Sequence, residues 1–156
     1  MTTQQRGLAS RPVASSEAIS RKFSRQRSYN TPPEVTLRKA LHRRGLRFRL
    51  HQRPVIFLRR TADIVFPKAK VAVEVRGCFW HACPQHRSVP RTNHDWWAEK
   101  LAHNQERDAE SERIWRTAGW EVVIVWEHDD PEEAADRIAP LVAKRRLLIV
   151  QSKSTQ

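Results

Sequence analysis

Cysteines and long apolar runs are scarce in this chain of 156 residues, and each scarcity excludes a class of protein. The only cysteines are Cys78 and Cys83, whereas a small secreted domain held by disulfides normally carries more. No apolar run approaches the roughly 20 residues of a membrane-spanning helix, and the N-terminus lacks the apolar segment of a secretory signal. No Lys/Arg-rich amphipathic helix with a clean apolar face is present either. These absences predict a cytoplasmic protein that does not bind a membrane.

Acidic residues are outnumbered by basic ones. The chain has 17 Asp and Glu against 29 Lys and Arg, which gives a formal net charge of +12. A domain this basic attracts phosphate polymers or anionic lipid, and the lack of membrane features favours nucleic acid. Hydrophobic residues still make up 39% of the chain, which suits one globular domain with a modest core. We expect this domain to be monomeric.

The composition divides the chain into three parts. Residues 1–30 carry six basic groups, one acid and few apolar residues, which is typical of an arm that is mobile until it meets a partner. We assign residues 1–19 to a flexible basic tail and residues 20–145 to the folded domain. Within that domain, 20–30 form an arm that contacts nucleic acid. Residues 146–156 are assigned to a C-terminal tail.

Helix and strand signals alternate along the domain. Thr31-Pro32-Pro33-Glu34 predicts a helix start, with a Thr cap, a Pro in the first turn and a Glu three residues after the cap. Further helices are predicted from about Asn93 to Ala118 and after Asp130-Pro131. Strands are predicted at 46–51, 62–66, 71–76 and 120–126. The last of these is strongly apolar and is expected in the centre of the sheet. The order of elements predicts an α/β fold with a mixed sheet flanked by helices.

The long central helix has one face that is apolar at its ends and polar in its middle. The residues on this face are Trp97, Leu101, Asn104, Asp108, Ser111 and Trp115. Buried polar groups need hydrogen-bond partners, so we interpret the polar middle as facing a functional site. A helix rotated to expose these groups to solvent is the alternative.

Cysteine and histidine cluster after the third strand. Thiolate and imidazole are the ligands that Zn²⁺ prefers, and one loop can supply Cys78, Cys83 and His86. His128, directly after the last strand, is the candidate for the fourth ligand. Such a site would tie the loop to the far end of the sheet and stabilise a small domain. His81 could replace His86, and two buried thiols beside surface histidines are the alternative to a metal site.

One carboxylate stands at the entry of an apolar strand. Asp63 begins the strand at 62–66, and the next strand ends twelve residues later at Val75-Arg76-Gly77. Many Mg²⁺-dependent nucleases gather oxygen ligands in this way, with an acid on one strand beside the end of its neighbour. A turn or cap role for Asp63 is the alternative. Four arginines before this strand are candidate phosphate contacts, or alternatively a solvated basic face: Arg47, Arg49, Arg59 and Arg60.

A string of motifs over about residues 20–135 points to one family. The motifs are Gly77-Cys78-Phe79-Trp80-His81-x-Cys83-Pro84, Trp97-x-x-Lys100, Asn104-x-x-Arg107-Asp108, Ala118-Gly119-Trp120 and Val125-Trp126-Glu127-His128. Together they resemble the very short patch repair endonuclease family. The resemblance implies a restriction-endonuclease-like fold and an Mg²⁺-dependent enzyme. That enzyme would nick one DNA strand 5′ to the thymine of a T:G mismatch, which arises when 5-methylcytosine deaminates.

The resemblance also implies roles for individual residues. Asp63 matches the Mg²⁺-binding aspartate, and Val75 matches the residue whose backbone carbonyl helps to hold the metal. His81 matches the catalytic histidine, acting as general base or hydrogen-bond donor. Glu34 matches a supporting acid that orients water, although it equally completes a capping box with Thr31. The implied partners are double-stranded DNA with a T:G mismatch and, functionally, a DNA cytosine methyltransferase, which places the enzyme at the nucleoid.

Zinc and DNA contacts follow from the same resemblance. Phe79 and Trp80 match aromatic residues that wedge into the base stack beside the mismatch, and Phe23 falls where the family has an apolar N-terminal wedge. The structural zinc falls on residues that the spacing also selects: Cys78, Cys83, His128 and, displaced by one residue, His86. The chain departs from the family at Glu74 and Arg76. If Val75 faces the metal, these two side chains are expected to point away from it.

Two other functions stay open on the sequence. A nuclease of the same fold with another DNA target, such as a restriction-type enzyme, would cut perfectly paired duplex. A non-catalytic zinc module would bind mismatched or bent DNA without cutting it.

Overall fold

Four strands and three helices alternate along residues 29–154, the part of the chain that the computed structural model describes. In chain order they are α1 (Pro32–Arg43), β1 (Arg49–Gln52), β2 (Ala62–Phe66), β3 (Val71–Arg76), α2 (His94–Thr117), β4 (Glu121–Trp126) and α3 (Pro131–Ser154). The predicted order of elements is confirmed. Phe23, the basic tail at 1–19 and most of the predicted arm lie outside the described residues. Within the described range, no helix combines the length and apolarity that a membrane crossing requires.

The strands form one mixed sheet in the order β1-β2-β3-β4. The first two pairs are antiparallel, whereas β3 and β4 run parallel with Val71 opposite Glu121 and Arg76 opposite Trp126. A parallel pair needs a long crossover, which α2 supplies. The α/β class with a mixed sheet is therefore confirmed, as the restriction-endonuclease-like expectation requires.

The expected central position of the last strand is wrong, because β4 lies at one end of the described sheet. Its apolar sequence has a different cause. Val123 and Val125 pack into the core on one face of the sheet, and Val122 and Ile124 pack on the other. A strand covered on both faces reads as a continuous apolar run wherever it stands in the sheet.

Helices cover both faces of the sheet. On one face α1 and α3 pack through Leu41 and Ile138 over Ile64 and Phe66 of β2. On the other face α2 packs through the fully buried Trp115 over the opposite side of β2 and β3. Burying one large apolar side chain stabilises a fold by roughly 1.5–3 kcal/mol. The two cores therefore hold the ends of β2 and β3 rigidly, which is where the candidate site lies.

The last helix is longer than the sequence predicts. It begins after Asp130, whose carboxylate accepts bonds from two backbone N–H groups of the first turn. It then continues to Ser154 through most of the segment 146–156 that the composition assigns to a tail. The reason is local, since residues 143–150 contain good helix formers and neither Gly nor Pro. Three apolar side chains of this extension are exposed: Leu147, Leu148 and Val150.

An ion-pair network joins the sheet to α2. Arg76, at the end of β3, donates to Glu74 at 2.5 Å and to Glu112 of α2 at 2.7 Å, and its side chain is only 10% exposed. By contrast, Arg43 and Glu132 join α1 to α3 through side chains that are about half exposed. Removing the partner of a buried charge lowers the free energy of unfolding far more than removing the partner of an exposed charge.

We expect Arg76→Ala to lower the free energy of unfolding by about 3–5 kcal/mol, because it leaves the largely buried Glu74 carboxylate without its cation. The matched control Arg43→Ala should cost no more than about 1 kcal/mol. Urea unfolding of both variants measures the difference. Similar small losses in the two variants would contradict a structural role for the buried network.

Candidate active site and metal cluster

A cavity of about 890 Å³ lies between the start of α1, the ends of β2 and β3, and the middle of α2. The predicted residues Glu34, Asp63, Val75 and His81 all line it. The structure therefore brings together the aspartate, the strand end and the histidine that a nuclease of this type requires in one place. Other charged residues in the lining are Arg59, Arg60, Glu74, Arg76, Lys100, Arg107, Asp108 and Glu127.

Asp63 is held in place by the neighbouring strand. The Val75 backbone N–H donates to Asp63 Oδ2, with an N to O distance of 2.7 Å. Burial raises the pKa of Asp63 to about 7, and this hydrogen bond opposes the shift. The nearby carboxylates Glu34 and Glu74 raise the pKa further. A carboxylate in such surroundings gains more from a bound cation than an exposed one does, so the site fits the Mg²⁺ that the resemblance implies.

Glu34 is buried at the start of α1, and its carboxylate is fully engaged. It accepts bonds from the Asn30 backbone N–H at 2.9 Å, the Thr31 hydroxyl at 3.0 Å and the Arg38 guanidinium at 2.8 Å. Thr31 is the N-cap, as predicted, but its hydroxyl donates to Glu34 and caps no backbone N–H. Neither bond of the predicted capping box is therefore formed, because Glu34 accepts the backbone N–H of Asn30 and not that of Thr31. These contacts support a structural role for Glu34, and its catalytic role stays a prediction.

His51 belongs to the site, although the sequence analysis missed it. Potential ligand atoms of Glu34, His51 and Asp63 all lie within 4.8 Å of one another. His51 Nε2 is 3.2 Å from the Arg38 guanidinium, which can only donate, so the ring proton is on Nδ1. Nδ1 lies 3.9 Å from Asp63 Oδ1. In the strand predicted at 46–51, alternate residues share a face, so His51 is expected on the same polar face as Arg49. Nothing in the sequence pattern indicates that His51 lies close to Asp63.

The polar middle of α2 faces the cavity, as predicted. Asp108 Oδ2 lies 2.5 Å from His81 Nδ1 and so orients the imidazole ring. Asn104 donates to a backbone carbonyl at 3.1 Å in the segment after β3, and Ser111 accepts a bond from an arginine of the β1–β2 loop at 2.8 Å. Asp108, Asn104 and Ser111 therefore each have a partner. The histidine and aspartate form the paired arrangement that a general base or acid needs.

Glu74 and Arg76 do not point away from the cavity. Both line it, whereas the Val75 side chain packs into the core under α1 and α3. The expectation depended on Val75 facing the metal, but of this residue only the backbone N–H meets Asp63. Alternate residues of a strand share a face, so Glu74 and Arg76 project on the α2 side of the sheet. Burial raises the pKa of Glu74, and the Arg76 charge opposes that shift.

The predicted DNA-binding residues fall into two groups. Phe79 and Trp80 pack edge to face with ring centroids 5.1 Å apart, and each also contacts the Trp97 ring at the start of α2. Both are partly exposed, and Trp80 lines the cavity. Arg47 and Arg49 are exposed beside and within β1 and lie outside the cavity lining. The structure thus places aromatic side chains at the cavity and basic ones on the adjoining surface.

The four residues proposed as zinc ligands converge on one point. Potential ligand atoms of Cys78, Cys83, His86 and His128 lie within 4.8 Å of one another. The sulfur to Nδ1 distances between the cysteines and histidines are 3.1, 3.7, 3.7 and 3.8 Å. A tetrahedral zinc with ordinary Zn–S and Zn–N bonds requires about 3.6 Å between such atoms. His81, the alternative ligand, instead pairs with Asp108.

The surroundings of the cluster also suit a metal. Burial, together with the neighbouring Cys83 thiol and the Glu127 carboxylate, raises the pKa of Cys78 to about 12. Without a cation this cysteine is therefore a neutral thiol, and a bound metal would reverse that. Asp129 Oδ1 lies 3.5 Å from His128 Nε2. A carboxylate at the distal nitrogen is the usual support of a metal-binding histidine.

We expect Asp63→Asn to raise the free energy of unfolding of the magnesium-free protein at pH 8. At pH 4.5 the same substitution should raise it much less. Between its ordinary pKa of 3.8 and its folded value of about 7, Asp63 keeps a proton when folded that the unfolded chain has lost. Stability is therefore lost as pH rises through this window. The gain at pH 8 has an upper limit of about 4 kcal/mol. Urea unfolding at both pH values tests this, and equal gains would contradict it.

We expect about one zinc per chain, and a lower melting temperature after its removal by a chelator, because the metal joins the loop after β3 to the end of β4. His86→Ala should reduce the zinc content. The matched control His103→Ala replaces an exposed histidine of α2 and should leave the zinc content unchanged. Elemental analysis of protein purified without chelator checks both, and a metal-free wild type would exclude the site.

Several known proteins are similar in sequence to this chain. The family model described as DNA mismatch endonuclease Vsr matches residues 13–87. Type II nicking enzyme V.NaeI of Lentzea aerocolonigenes is 41% identical over 138 residues, which cover 84% of this chain and 78% of that protein. Type II nicking enzyme V.XorIIP of Xanthomonas oryzae pv. oryzae is 41% identical over 103 residues, 65% of this chain and 73% of that protein.

A protein named for mismatch cleavage is also similar. DNA mismatch endonuclease Vsr of Escherichia coli is 33% identical over 102 residues, which cover 63% of this chain and 62% of that protein. The identity with V.NaeI extends over most of both chains. The chain therefore belongs to the very short patch repair family of DNA mismatch endonucleases, the Vsr family.

Proposed function

We propose that this DNA endonuclease of the Vsr type nicks one strand of a duplex 5′ to the thymine of a T:G mismatch. The mismatch would arise by deamination of 5-methylcytosine, and the reaction would be Mg²⁺-dependent hydrolysis of a phosphodiester bond. The observation that carries the proposal is the convergence of Asp63 and His81 on one cavity beside Val75. The names of the similar nicking enzymes and of the Escherichia coli mismatch endonuclease support it.

The side chains divide the chemistry among them. Asp63, with the Val75 backbone, would hold Mg²⁺, which supplies a Lewis acid that polarises the phosphate and acidifies water. His81, oriented by Asp108 at 2.5 Å, exchanges a proton with the attacking water or the leaving oxygen. Arg59 lines the same cavity and offers a positive charge to the DNA backbone. Glu34 holds the start of α1 against the site.

Structural zinc would hold the catalytic segment in place. Cys78, Cys83 and His86 lie in the segment that follows β3, and His128 follows β4. His81 stands between the two cysteines, and the Ala82 φ of +48° marks a tight turn directly after it. A metal that fixes both ends of this turn fixes the His81 backbone as well. Zinc would therefore affect the reaction only by holding His81 in position.

Mismatch preference would come from the aromatic residues beside the cavity. Inserting Phe79 and Trp80 between bases costs a few kcal/mol of unstacking, and the cost is least at a mispaired base. Basic side chains hold the backbone without reading sequence. Such an enzyme would act as a monomer on the nucleoid in the cytoplasm. It would repair the lesion that a DNA cytosine methyltransferase makes more frequent.

The decisive experiment is a nicking assay with Mg²⁺ on a T:G duplex and on the same duplex fully paired. We expect nicking of the T:G duplex alone, its loss in Asp63→Ala, and a decrease of about 10²–10⁴-fold in His81→Ala. Asp136→Ala, which removes an exposed carboxylate of α3, should cut like the wild type.

Each unexpected result of the nicking assay would overturn a different part of the proposal. Equal cutting of both duplexes would overturn the mismatch preference and favour a restriction-type target. Full activity of Asp63→Ala would overturn the assignment of the active site. Binding of the mismatched duplex without any strand scission would favour a non-catalytic zinc module.

A further inference from the structure

The loop between β1 and β2 presents two large apolar side chains to solvent. Ile56 is 90% exposed and Phe57 is 74% exposed. Their neighbours Val55 and Leu58 pack into the core on the α2 side of the sheet. The tip is therefore anchored on both sides, and its two outward side chains occupy a defined position. A pair of adjacent exposed apolar residues held in this way is typical of a contact surface.

The surface around this tip is positively charged. Residues 35–62 contain nine Lys and Arg and neither Asp nor Glu. Some of these cations pair with carboxylates elsewhere, for example Arg44 with Glu132. Across residues 29–154, however, four arginines of this region form no ion pair with a carboxylate: Arg47, Arg49, Arg53 and Arg59. Two of them, Arg53 and Arg59, bracket the tip. Unpaired cations around an apolar tip suit a polyanion that also offers apolar surface.

The loop is continuous with the wall of the active-site cavity. Arg59 and Arg60 line the cavity. Arg60 is fixed to α2, since it donates to the Arg107 carbonyl and to Glu110, each at 2.7 Å. Arg60 is the third residue after Phe57, and an extended chain of that length spans at most about 11 Å. A duplex seated with its scissile phosphate in the cavity therefore passes within a few base pairs of the tip.

We propose that Ile56 and Phe57 insert as an apolar wedge into the DNA duplex a few base pairs from the bond that is cut. Arg53 and Arg59 would bind the phosphates on either side of the wedge. Apolar side chains flanked by arginines enter the base stack in this way in other DNA-bending proteins. The wedge belongs to a different chain segment from Phe79 and Trp80. The inference rests on the DNA endonuclease activity and not on the T:G preference.

A second copy of the chain is a poorer occupant for this surface. Two such tips meeting each other would bring the unpaired arginines of both copies together, and like charges at an interface are unfavourable. DNA neutralises the same charges. The exposed apolar side chains and the unpaired arginines therefore both favour DNA as the partner.

The test compares the double variant Ile56→Ser/Phe57→Ser with Leu147→Ser/Leu148→Ser. The control pair is also exposed and apolar, but it lies on α3 and does not line the cavity. Binding to duplexes with 2-aminopurine at successive positions beside the cleavage site is measured without Mg²⁺. We expect the wild type and the control to increase the 2-aminopurine fluorescence at one step. The loop variant should lose this increase and bind about ten- to a hundredfold more weakly.

Melting temperature, salt dependence and oligomeric state distinguish a wedge from a misfolded loop, a purely electrostatic contact and a protein interface. Both double variants should keep the melting temperature of the wild type, because the four residues are exposed. Ile56→Ser/Phe57→Ser should leave the salt dependence of binding unchanged, whereas Arg53→Ala should reduce its slope by about one. Unchanged DNA binding and fluorescence in the loop variant would overturn the proposal. So would weaker binding that follows the loss of a dimer in sedimentation experiments, since the tip would then be a protein interface.

Each of these measurements is made on both a matched and a T:G duplex. A wedge signal on both duplexes supports the inference even if the enzyme shows no mismatch preference. Loss of mismatch preference with an intact wedge signal would therefore count against the proposed substrate only.

Discussion

The parallel pairing of β3 with β4 is the constraint on which the site depends. Because Arg76 stands opposite Trp126, the chain leaves both strands at the same end of the sheet. The Glu127 N–H donates to the Arg76 carbonyl, and the Glu127 carboxylate accepts the Cys78 N–H. These bonds hold the segment after β3 against the segment after β4. The candidate cysteine and histidine ligands meet there, and His81 lines the same cavity as Asp63.

The cavity and the exterior of the protein differ in their charges. The chain carries a net charge of +12, yet five carboxylates line its cavity: Glu34, Asp63, Glu74, Asp108 and Glu127. Desolvation and mutual repulsion raise the pKa of Asp63, so an added cation is favourable at that point. On the adjoining surface the unpaired arginines attract the phosphates of the duplex. A basic exterior beside the buried Asp63 carboxylate can thus bind a polyanion and a metal cation together.

Arg76 shows how a buried charge in the wall of the cavity is accommodated. It is buried between Glu74 and Glu112, and its charge lowers the cost of placing Glu74 in the wall of the cavity. A buried carboxylate alone would be expensive there, and a buried arginine alone equally so. Glu74 and Arg76 therefore compensate each other electrostatically, and Arg76 also joins the sheet to α2.

The sequence alone determined the order of helices and strands, the polar face of α2 that supplies Asp108, and the Cys/His cluster, because these follow from local periodicity and close spacing. It also selected Asp63 and His81 through the family resemblance. Only the tertiary structure decided that β4 is a terminal strand, that His51 reaches Asp63 and that Glu74 and Arg76 line the cavity. It also decided which apolar residues of the β1–β2 loop remain outside the core. These features depend on which faces of distant segments meet in space, and no local pattern along the chain records such contacts.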